Sequence, residues 1–195
     1  MRNNPTSGAD TRLSAPAVST SSILSCFNGA EADAYRQLAR RWAGSVTVVT
    51  ARHGSGTGNG GFDGVTATAF LTVSINPPII LVSVARKTRA ASMLAGPVGF
   101  VVNLLSQSQE TLSRRFARPQ AERALTPWPK IAGRRDARGI PVLDGTLGAF
   151  SADSREVVDA GDHLLILGNV RQIWLGSAEE PLLYQGQAYA RLEPV

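Results

Sequence analysis

Hydrophobic and polar residues follow two different periods along this chain. After residue 31, the apolar side chains of Tyr35, Leu38 and Trp42 recur at the spacing of one helix face, and Gly44 is a typical helix end. Further on, runs rich in Val, Ile, Thr and Phe have the composition of strands. We therefore predict an N-terminal helix followed by several strands. The strands predicted in this half are residues 45–51, 65–75, 79–85 and 100–105.

Two further short helices are predicted between the strands. Thr88 can cap a helix over residues 88–95 through its hydroxyl. Ser106 and Gln109 have the spacing of a capping box, and the apolar residues that follow them recur at helical spacing. Both helices are short, so the prediction is of a chain dominated by strands.

The C-terminal third has the pattern of a β structure throughout. Two long strands, 147–160 and 163–176, are joined by a turn-like junction, and residues 181–192 supply a last pair. The predicted fold class is mainly β with short helices, and such a set of strands closes most economically into an antiparallel barrel. Residues 1–30 lack periodicity and are predicted to be a flexible tail, so that the domain spans 31–195.

Composition excludes several classes of protein. The chain has 195 residues and a single cysteine, Cys26, so no internal disulfide is possible. With only His53 and His163 besides, a Cys/His metal cluster is not expected. No apolar run has the length of a membrane span, and the N-terminus lacks the apolar region of a secretory signal. We therefore expect a cytoplasmic protein with no membrane partner and no metal.

A glycine-rich loop contains a literal G-x-G-x-x-G at Gly56, Gly58 and Gly61. A dinucleotide-binding turn also needs a helix after the glycines and an acid about twenty residues further on. The segment that follows is rich in β-branched residues, and no acid occurs between Asp63 and Glu110. We predict that the loop is a connection between two strands.

The positive charge of the chain is concentrated between residues 114 and 138. This tract has eight basic and two acidic residues, a net charge of +6, so the rest of a chain whose net charge is +5 is nearly neutral. It can attract phosphates, nucleic acid or an acidic partner, or it can be a solvated loop. Binding of single-stranded nucleic acid would need interleaved aromatic residues, and the tract has only Phe116 and Trp128. The pattern favours a solvated loop and no nucleic-acid partner.

A phosphate site is predicted where the strand 79–85 ends. Arg86 and Lys87 bring two positive charges, and Thr88 opens a helix whose first N–H groups are free. The alternative is a basic solvated turn with an ordinary cap. The preceding strand contains VTATAF at residues 65–70, whose small side chains would let a flat ligand lie against the backbone. The alternative is that this segment packs as an ordinary barrel strand.

Eight motifs follow one another in a specific order across residues 35–192. They are SVTVVTA, GVTATAF, SINPPIILVSV, KTR, GFVVNLL, RRFA, PVLDGTLGAF and DAGDHLLILGNV. In these motifs the chain resembles the flavin reductase family with the FMN-binding split barrel. That family includes the reductase components of two-component flavin-dependent monooxygenases, such as that of 4-hydroxyphenylacetate 3-monooxygenase.

The resemblance implies a split antiparallel barrel that forms a homodimer. It implies an enzyme that uses NADH or NADPH to reduce FMN or FAD, and that supplies reduced flavin to a partner monooxygenase. A flavoprotein of the same barrel that holds FMN for electron transfer without releasing it is the alternative. Hydride transfer from the nicotinamide to the flavin needs proximity and orientation rather than a protein nucleophile, which agrees with a sequence that has no catalytic triad.

The resemblance also implies which residues contact the cofactors. The strand expected to line the isoalloxazine ring comprises Gly64, Val65, Thr66, Ala67, Thr68 and Ala69, and the ribityl and phosphate contacts are Ser83, Arg86, Lys87 and Thr88. The positions expected near the flavin are Asn103 and Phe116, the GDH motif beside the nicotinamide is Gly161, Asp162 and His163, and the pocket aromatics are Tyr184 and Tyr189. Of these, His163 is expected to have the catalytic role of holding the pyridine nucleotide.

Overall fold

A computed structural model describes most of the predicted domain. The described residues are 25–29, 31–52, 61–96, 98–119, 130–176 and 179–192. The predicted tail lies almost wholly outside them, as does the glycine-rich loop before Gly61. The helices are α1 (Ala32–Ala39), α2 (Arg89–Leu94) and α3 (Glu110–Phe116), the last preceded by a single 3₁₀ turn (Gln107–Gln109).

Twelve strands are present in the described part of the chain. They are β1 (Gly44–Ser45), β2 (Thr47–Arg52), β3 (Phe62–Ala67), β4 (Phe70–Ile75), β5 (Pro78–Ala85), β6 (Gly99–Leu104), β7 (Arg134–Arg135), β8 (Pro141–Val142), β9 (Gly148–Ala160), β10 (His163–Leu175), β11 (Leu183–Gln185) and β12 (Ala188–Ala190). The segment after the glycine-rich loop is the strand β3 and not a helix, so the context of a dinucleotide fingerprint is absent there.

Seven strands form one antiparallel sheet in the order β3-β2-β6-β9-β10-β5-β4. Its two edges are β3 and β4, which are consecutive in the chain and separated only by Thr68 and Ala69. Two residues bridge at most about 11 Å between the flanking Cα atoms, so the sheet must curl until its edges approach each other at this point. The edges are not paired with each other. The prediction of a split antiparallel barrel is confirmed.

The prediction of a single strand over residues 65–75 is wrong in one respect, because this segment forms parts of two strands, β3 and β4. Its first part pairs with β2, ending at Ala67 opposite Thr47, and its second part pairs with β5 from Phe70 opposite Val82. Between them, the N–H of Phe70 donates to the carbonyl of Thr68 at 3.0 Å in a tight turn. Both halves are rich in β-forming residues, so the sequence pattern has no signal for the point at which the chain crosses the split.

The strand β2 is buried on both faces. Val49 and Ala51 belong to a core inside the barrel that α2 covers, and Val48 belongs to a second core against α3 and the small sheet β1-β11-β12. This explains why residues 46–51 are all buried, Thr47 and Thr50 included, because a strand with two buried faces does not alternate between buried and exposed residues.

The helix α1 forms as predicted, but the described part of the chain does not cover its apolar face. Tyr35, Leu38 and Trp42 are 71%, 69% and 82% exposed, and no residue of α1 is buried. The edge strand β4 likewise exposes Leu71 and Ile75. Among the described residues, no helix is long and apolar enough to cross a membrane, and no cluster of three or more metal-ligating side chains occurs.

Candidate cofactor site

A cleft of about 550 Å³ lies at the split of the barrel, and we name it the main cleft. Its floor is the crossing residues Thr68 and Ala69 together with Ser83 of β5. Tyr35 and Trp42 line it from α1 and the segment after it, and Tyr184 lines it from β11. Small residues on the floor and aromatic residues around it fit a planar ligand, and the volume is within the usual range for small-molecule sites.

The floor of the main cleft has backbone donors to offer. The carbonyls of Thr68 and Ala69 accept hydrogen bonds from Phe70 and Ser83, at 3.0 and 2.9 Å. Their own N–H groups donate to no acceptor within the described residues, and both residues are exposed. Backbone donors are otherwise almost always paired in folded proteins. The two N–H groups are therefore available to a ligand in the main cleft.

The preceding strand supports this floor and does not line the main cleft. Val65 and Ala67 pack on the barrel core. Thr66 donates its hydroxyl to the carbonyl of Ser113 at 2.7 Å, which ties β3 to α3. A Cβ on Gly64 would lie 2.8 Å from a ring carbon of Phe116, so only glycine fits there without displacing that ring.

A second, smaller opening lies on the other side of Thr68. It has a volume of about 220 Å³ and is lined by Thr66, Ala67, Thr68, Tyr184 and Tyr189, among others. The rings of Tyr184 and Tyr189 meet edge to face at 5.3 Å, and the Tyr189 hydroxyl lies 2.8 Å from that of Ser113. The two predicted pocket aromatics are therefore brought together beside the predicted strand.

Neither Asn103 nor Phe116 lines any of the clefts described here. Asn103 is fully buried, and its amide donates to the Val48 carbonyl at 2.9 Å and accepts from the N–H of Leu143, also at 2.9 Å. Phe116 is 2% exposed and packs beneath Gly64. Both side chains make contacts inside the protein: Asn103 joins strands and Phe116 supports β3. A place near the flavin stays a prediction for these two positions.

The predicted phosphate residues follow Ser83 along the chain, outside the clefts described above. Thr88 caps α2 as predicted, accepting from the N–H of Ala91 at 3.4 Å. The guanidinium of Arg86 is bound to Asp159 at 2.6 Å, so much of its charge is compensated. Lys87 is exposed and pairs with none of the described carboxylates, which leaves it as the cation available for an anion at this place.

The predicted GDH motif forms the tight turn between β9 and β10. Gly161 has φ of +65°, a conformation that glycine adopts without strain. The ring nitrogen Nδ1 of His163 lies 2.7 Å from a carboxylate oxygen of Asp162. This hydrogen bond, and then the positive charge of His163, lower the pKa of Asp162 below its usual 3.8. Asp162 is therefore a carboxylate at neutral pH, and it fixes the imidazole at one nitrogen.

The register of the strands relates His163 to the main cleft. His163 lies opposite Ala85, and Leu165 lies opposite Ser83. Directly opposed residues share a face of the sheet, and so do residues two apart on one strand. His163 is therefore on the face of Ser83, about 7 Å further along β5. The sheet thus aligns the floor of the main cleft, Ser83 and the histidine in that order.

Sequence reasoning missed the contribution of α1 and of the β11–β12 turn. Tyr35 and Trp42 line the main cleft, although the sequence indicated only that they share a helix face. Gln187, in the turn, also lines it and has φ of +68°. For the first, the available signal was the apolar face of the predicted helix, which the described residues leave exposed. Gln187 gave no signal in the sequence.

The fold and the site together define a split-barrel protein whose main cleft has the volume and the lining to take a planar ligand. The chain belongs to the family described as flavin reductase like domain, whose model matches residues 39–193. The family predicted from the sequence is therefore confirmed.

Individual relatives agree with this assignment. The chain is 32% identical over 161 residues to the reductase component of 4-hydroxyphenylacetate 3-monooxygenase from Thermus thermophilus, covering 82% of this chain and 96% of that one. It is 34% identical to an NADH:FMN oxidoreductase of Rhodococcus erythropolis, covering 83% and 82%. Among solved structures, flavin reductase PheA2 superposes with a TM-score of 0.69 at 31% identity, covering 84% of this chain and 99% of that one.

Proposed function

We propose that this protein is an NAD(P)H:flavin oxidoreductase that reduces FMN or FAD and supplies the reduced flavin to a partner monooxygenase. The family model covers most of the chain, and relatives over nearly its full length are named NADH:FMN oxidoreductase or monooxygenase reductase component. The observation that carries the assignment to a site is the main cleft at the split of the barrel, where two backbone N–H groups donate to none of the described residues.

The residues of the main cleft fit a flavin. Thr68 and Ala69 would hold the isoalloxazine ring, because their N–H groups can donate to its carbonyl and ring-nitrogen acceptors. Tyr184 would enclose it from the side. Ser83, with its hydroxyl on the cleft face of β5, would contact the ribityl chain. Lys87 would hold the terminal phosphate, which is the fully charged end of FMN.

When bound, the flavin supplies the hydride-accepting centre of the reaction. The chain contributes position and electrostatics. The N–H groups of Thr68 and Ala69 favour negative charge at the ring edge they face. His163, fixed by Asp162 at Nδ1, has Nε2 for a hydrogen bond to the nicotinamide nucleotide. No side chain needs to accept or release a proton for hydride transfer itself, so His163 acts by orienting its ligand.

The proposal includes a homodimer. Tyr35 and Trp42 at the main cleft and Leu71 and Ile75 on the edge strand β4 are large and exposed, Ile75 at 95%. Exposed apolar side chains grouped around a cleft mark an interaction surface, and a second copy is the simplest cover for an edge strand. Sedimentation equilibrium tests this: a dimeric mass supports it, and a monomer at micromolar concentration contradicts it. A cytoplasmic location remains a prediction.

Flavin exchange separates the reductase from a flavoprotein that retains FMN. The purified protein is mixed with NADH and a large molar excess of FMN, and is then separated from free flavin by gel filtration. A reductase oxidises many equivalents of NADH per protein and loses its flavin on the column. A protein that turns over once and elutes with a full complement of FMN is the retaining flavoprotein.

A further inference from the structure

Ser113 of α3 is a buried polar residue that has no part in the function described so far. It is 0% exposed, and it borders the smaller opening beside Thr68. A buried hydroxyl needs a hydrogen-bond partner, because burial removes it from water. The partner is the Tyr189 hydroxyl, with 2.8 Å between the two oxygens. The buried hydroxyl of Ser113 is therefore used to hold an aromatic ring at the edge of the candidate site.

The backbone of Ser113 holds a second part of the same opening. Its carbonyl accepts the hydroxyl of Thr66 at 2.7 Å, in addition to the N–H of Ala117 at 3.1 Å at the end of the helix. Thr66 belongs to β3 of the large sheet, whereas Tyr189 belongs to β12 of the small sheet. One residue thus ties together two strands of different sheets, and both strands line the smaller opening.

The helix α3 is a firm base for these two contacts. Just before its start, the side chain of Gln109 donates to the carbonyl of Asp144 at 2.7 Å. At its end, Phe116 is buried beneath Gly64. A side chain on a helix that is fixed at both ends is held more precisely than one on a loop. The position of Ser113 is therefore set by the fold before any ligand binds.

Tyr189 connects Ser113 to the main cleft. Its ring meets that of Tyr184 edge to face at 5.3 Å, and Tyr184 lines both the main cleft and the smaller opening. The guanidinium carbon of Arg114 lies 4.7 Å from the centroid of the Tyr189 ring. A ring that is also fixed at its hydroxyl has fewer orientations. A ligand that packs on this aromatic pair then loses less side-chain entropy on binding.

We propose that Ser113 is a positioning residue for the flavin ring, and that it acts through Tyr189 and Tyr184 rather than by contact with the flavin. The proposal rests on the proposed function. It predicts that a hydroxyl buried behind the site contributes to flavin affinity. It also predicts that the contribution concerns the ring, because Tyr184 encloses the ring and Lys87 is the contact proposed for the phosphate.

The variant S113A tests the hydroxyl alone, because it leaves in place the carbonyl that accepts from Thr66. Fluorescence titration well below the melting temperature is expected to show a Kd for FMN raised about fivefold, the scale of ordering one side chain. The matched control is S151A. Ser151 is 1% exposed, its hydroxyl donates to Asp136 at 2.8 Å, and it lines neither the main cleft nor the smaller opening.

The control separates positioning from stability. S151A is expected to lower the melting temperature, because a buried carboxylate loses a hydrogen bond, while its Kd for FMN stays within about twofold of the unaltered protein. A Kd that S113A leaves unchanged would overturn the proposal. Equal increases of the Kd in S113A and S151A would also overturn it, because the effect would then follow from lost stability.

A double-mutant cycle tests whether Ser113 acts through Tyr189. Y189F removes the other half of the same hydrogen bond and keeps the ring. S113A, Y189F and the double variant are therefore expected to raise the Kd for FMN by nearly the same factor. Factors that multiply in the double variant would show that the two residues act separately, and would overturn the proposal.

Steady-state kinetics test which part of the flavin is affected. In S113A the KM of riboflavin and the KM of FMN are expected to rise by the same factor, because both flavins have the same ring. A rise for FMN alone would assign the effect to the phosphate and overturn the proposal. Unchanged values in a protein that reduces both flavins would overturn the role of Ser113 and leave the proposed function standing. If the unaltered protein binds no flavin and oxidises no NADH, the proposed function itself fails.

Discussion

Replacing Asn103 by alanine tests whether this residue is structural or contacts the flavin. Its amide links β6 to the Val48 carbonyl of β2 and accepts the N–H of Leu143. Both Asn103 and Leu143 are buried, so no water can replace the lost partner easily. The alternative, implied by the family resemblance, is that Asn103 binds the cofactor directly.

The magnitude follows from the bonds that are lost. Leaving the Leu143 N–H without an acceptor costs about 2 kcal/mol, and losing the bond to the Val48 carbonyl costs about 1 kcal/mol more. A loss of about 3 kcal/mol lowers the melting temperature of a domain of this size by roughly 6 to 12 °C. N169A is the matched control, because among the described residues the side chain of Asn169 hydrogen-bonds only to Arg155, at 3.4 Å in an exposed position. Its effect should stay within about 0.5 kcal/mol.

The assay has two parts. Thermal unfolding without flavin, followed by circular dichroism, measures the stability of N103A, and fluorescence titration well below its melting temperature measures the Kd for FMN. We expect a lowered melting temperature and a Kd within about threefold of the unaltered protein. An unchanged melting temperature with a Kd raised tenfold would refute the structural role and would place Asn103 against the flavin.

Three further predictions concern the proposed flavin and nicotinamide contacts. A69L fills the floor of the main cleft, so the Kd for FMN should rise at least about tenfold. The melting temperature should change little, because Ala69 is exposed. An unchanged Kd for FMN would show that Ala69 does not contact the flavin. K87A should raise the KM of FMN several-fold but not that of riboflavin, which lacks the phosphate, and a parallel rise for both would contradict a phosphate contact. H163Q should raise the KM of NADH while the Kd for FMN, measured by fluorescence, stays unchanged; loss of FMN affinity would place His163 on the flavin instead.

The positions of most strands along the chain were predictable from the sequence. Residues 79–85 and 100–105 have β-forming side chains between clear turn residues, and the observed strands β5 and β6 match them within one residue at each end. Local composition is sufficient here because both strands lie within the sheet, where pairing on each side agrees with local preference. The long hairpin of β9 and β10 was predictable for the same reason, and its turn has a glycine at positive φ.

The location of the site was not predictable from the pattern alone. The break between β3 and β4 depends on which strands pair across the barrel, and that is a property of the closed sheet. The engagement of Arg86 by Asp159, 73 residues further along the chain, likewise depends on register. The sequence indicated two cations for a phosphate, whereas the fold leaves Lys87 as the available one.

The roles of buried polar residues could not be predicted from the sequence either. A lone asparagine in FVVNLL has the same appearance whether it binds a ligand or joins two strands. Only the position of Leu143, brought beside it by the turn after β8, shows that its hydrogen bonds are used inside the protein.

The central claim is that the protein transfers hydride from a nicotinamide nucleotide to exchangeable flavin. Its most direct test is an anaerobic assay with a catalytic amount of protein, NADH, and FMN in large excess, in which the absorbance of both is followed together. We predict that NADH and oxidised FMN disappear in equal amounts until one is exhausted, over many turnovers per protein. Loss of NADH that stops at one equivalent per protein would contradict the account. So would the absence of any oxidation of NADH or NADPH with either FMN or FAD as acceptor.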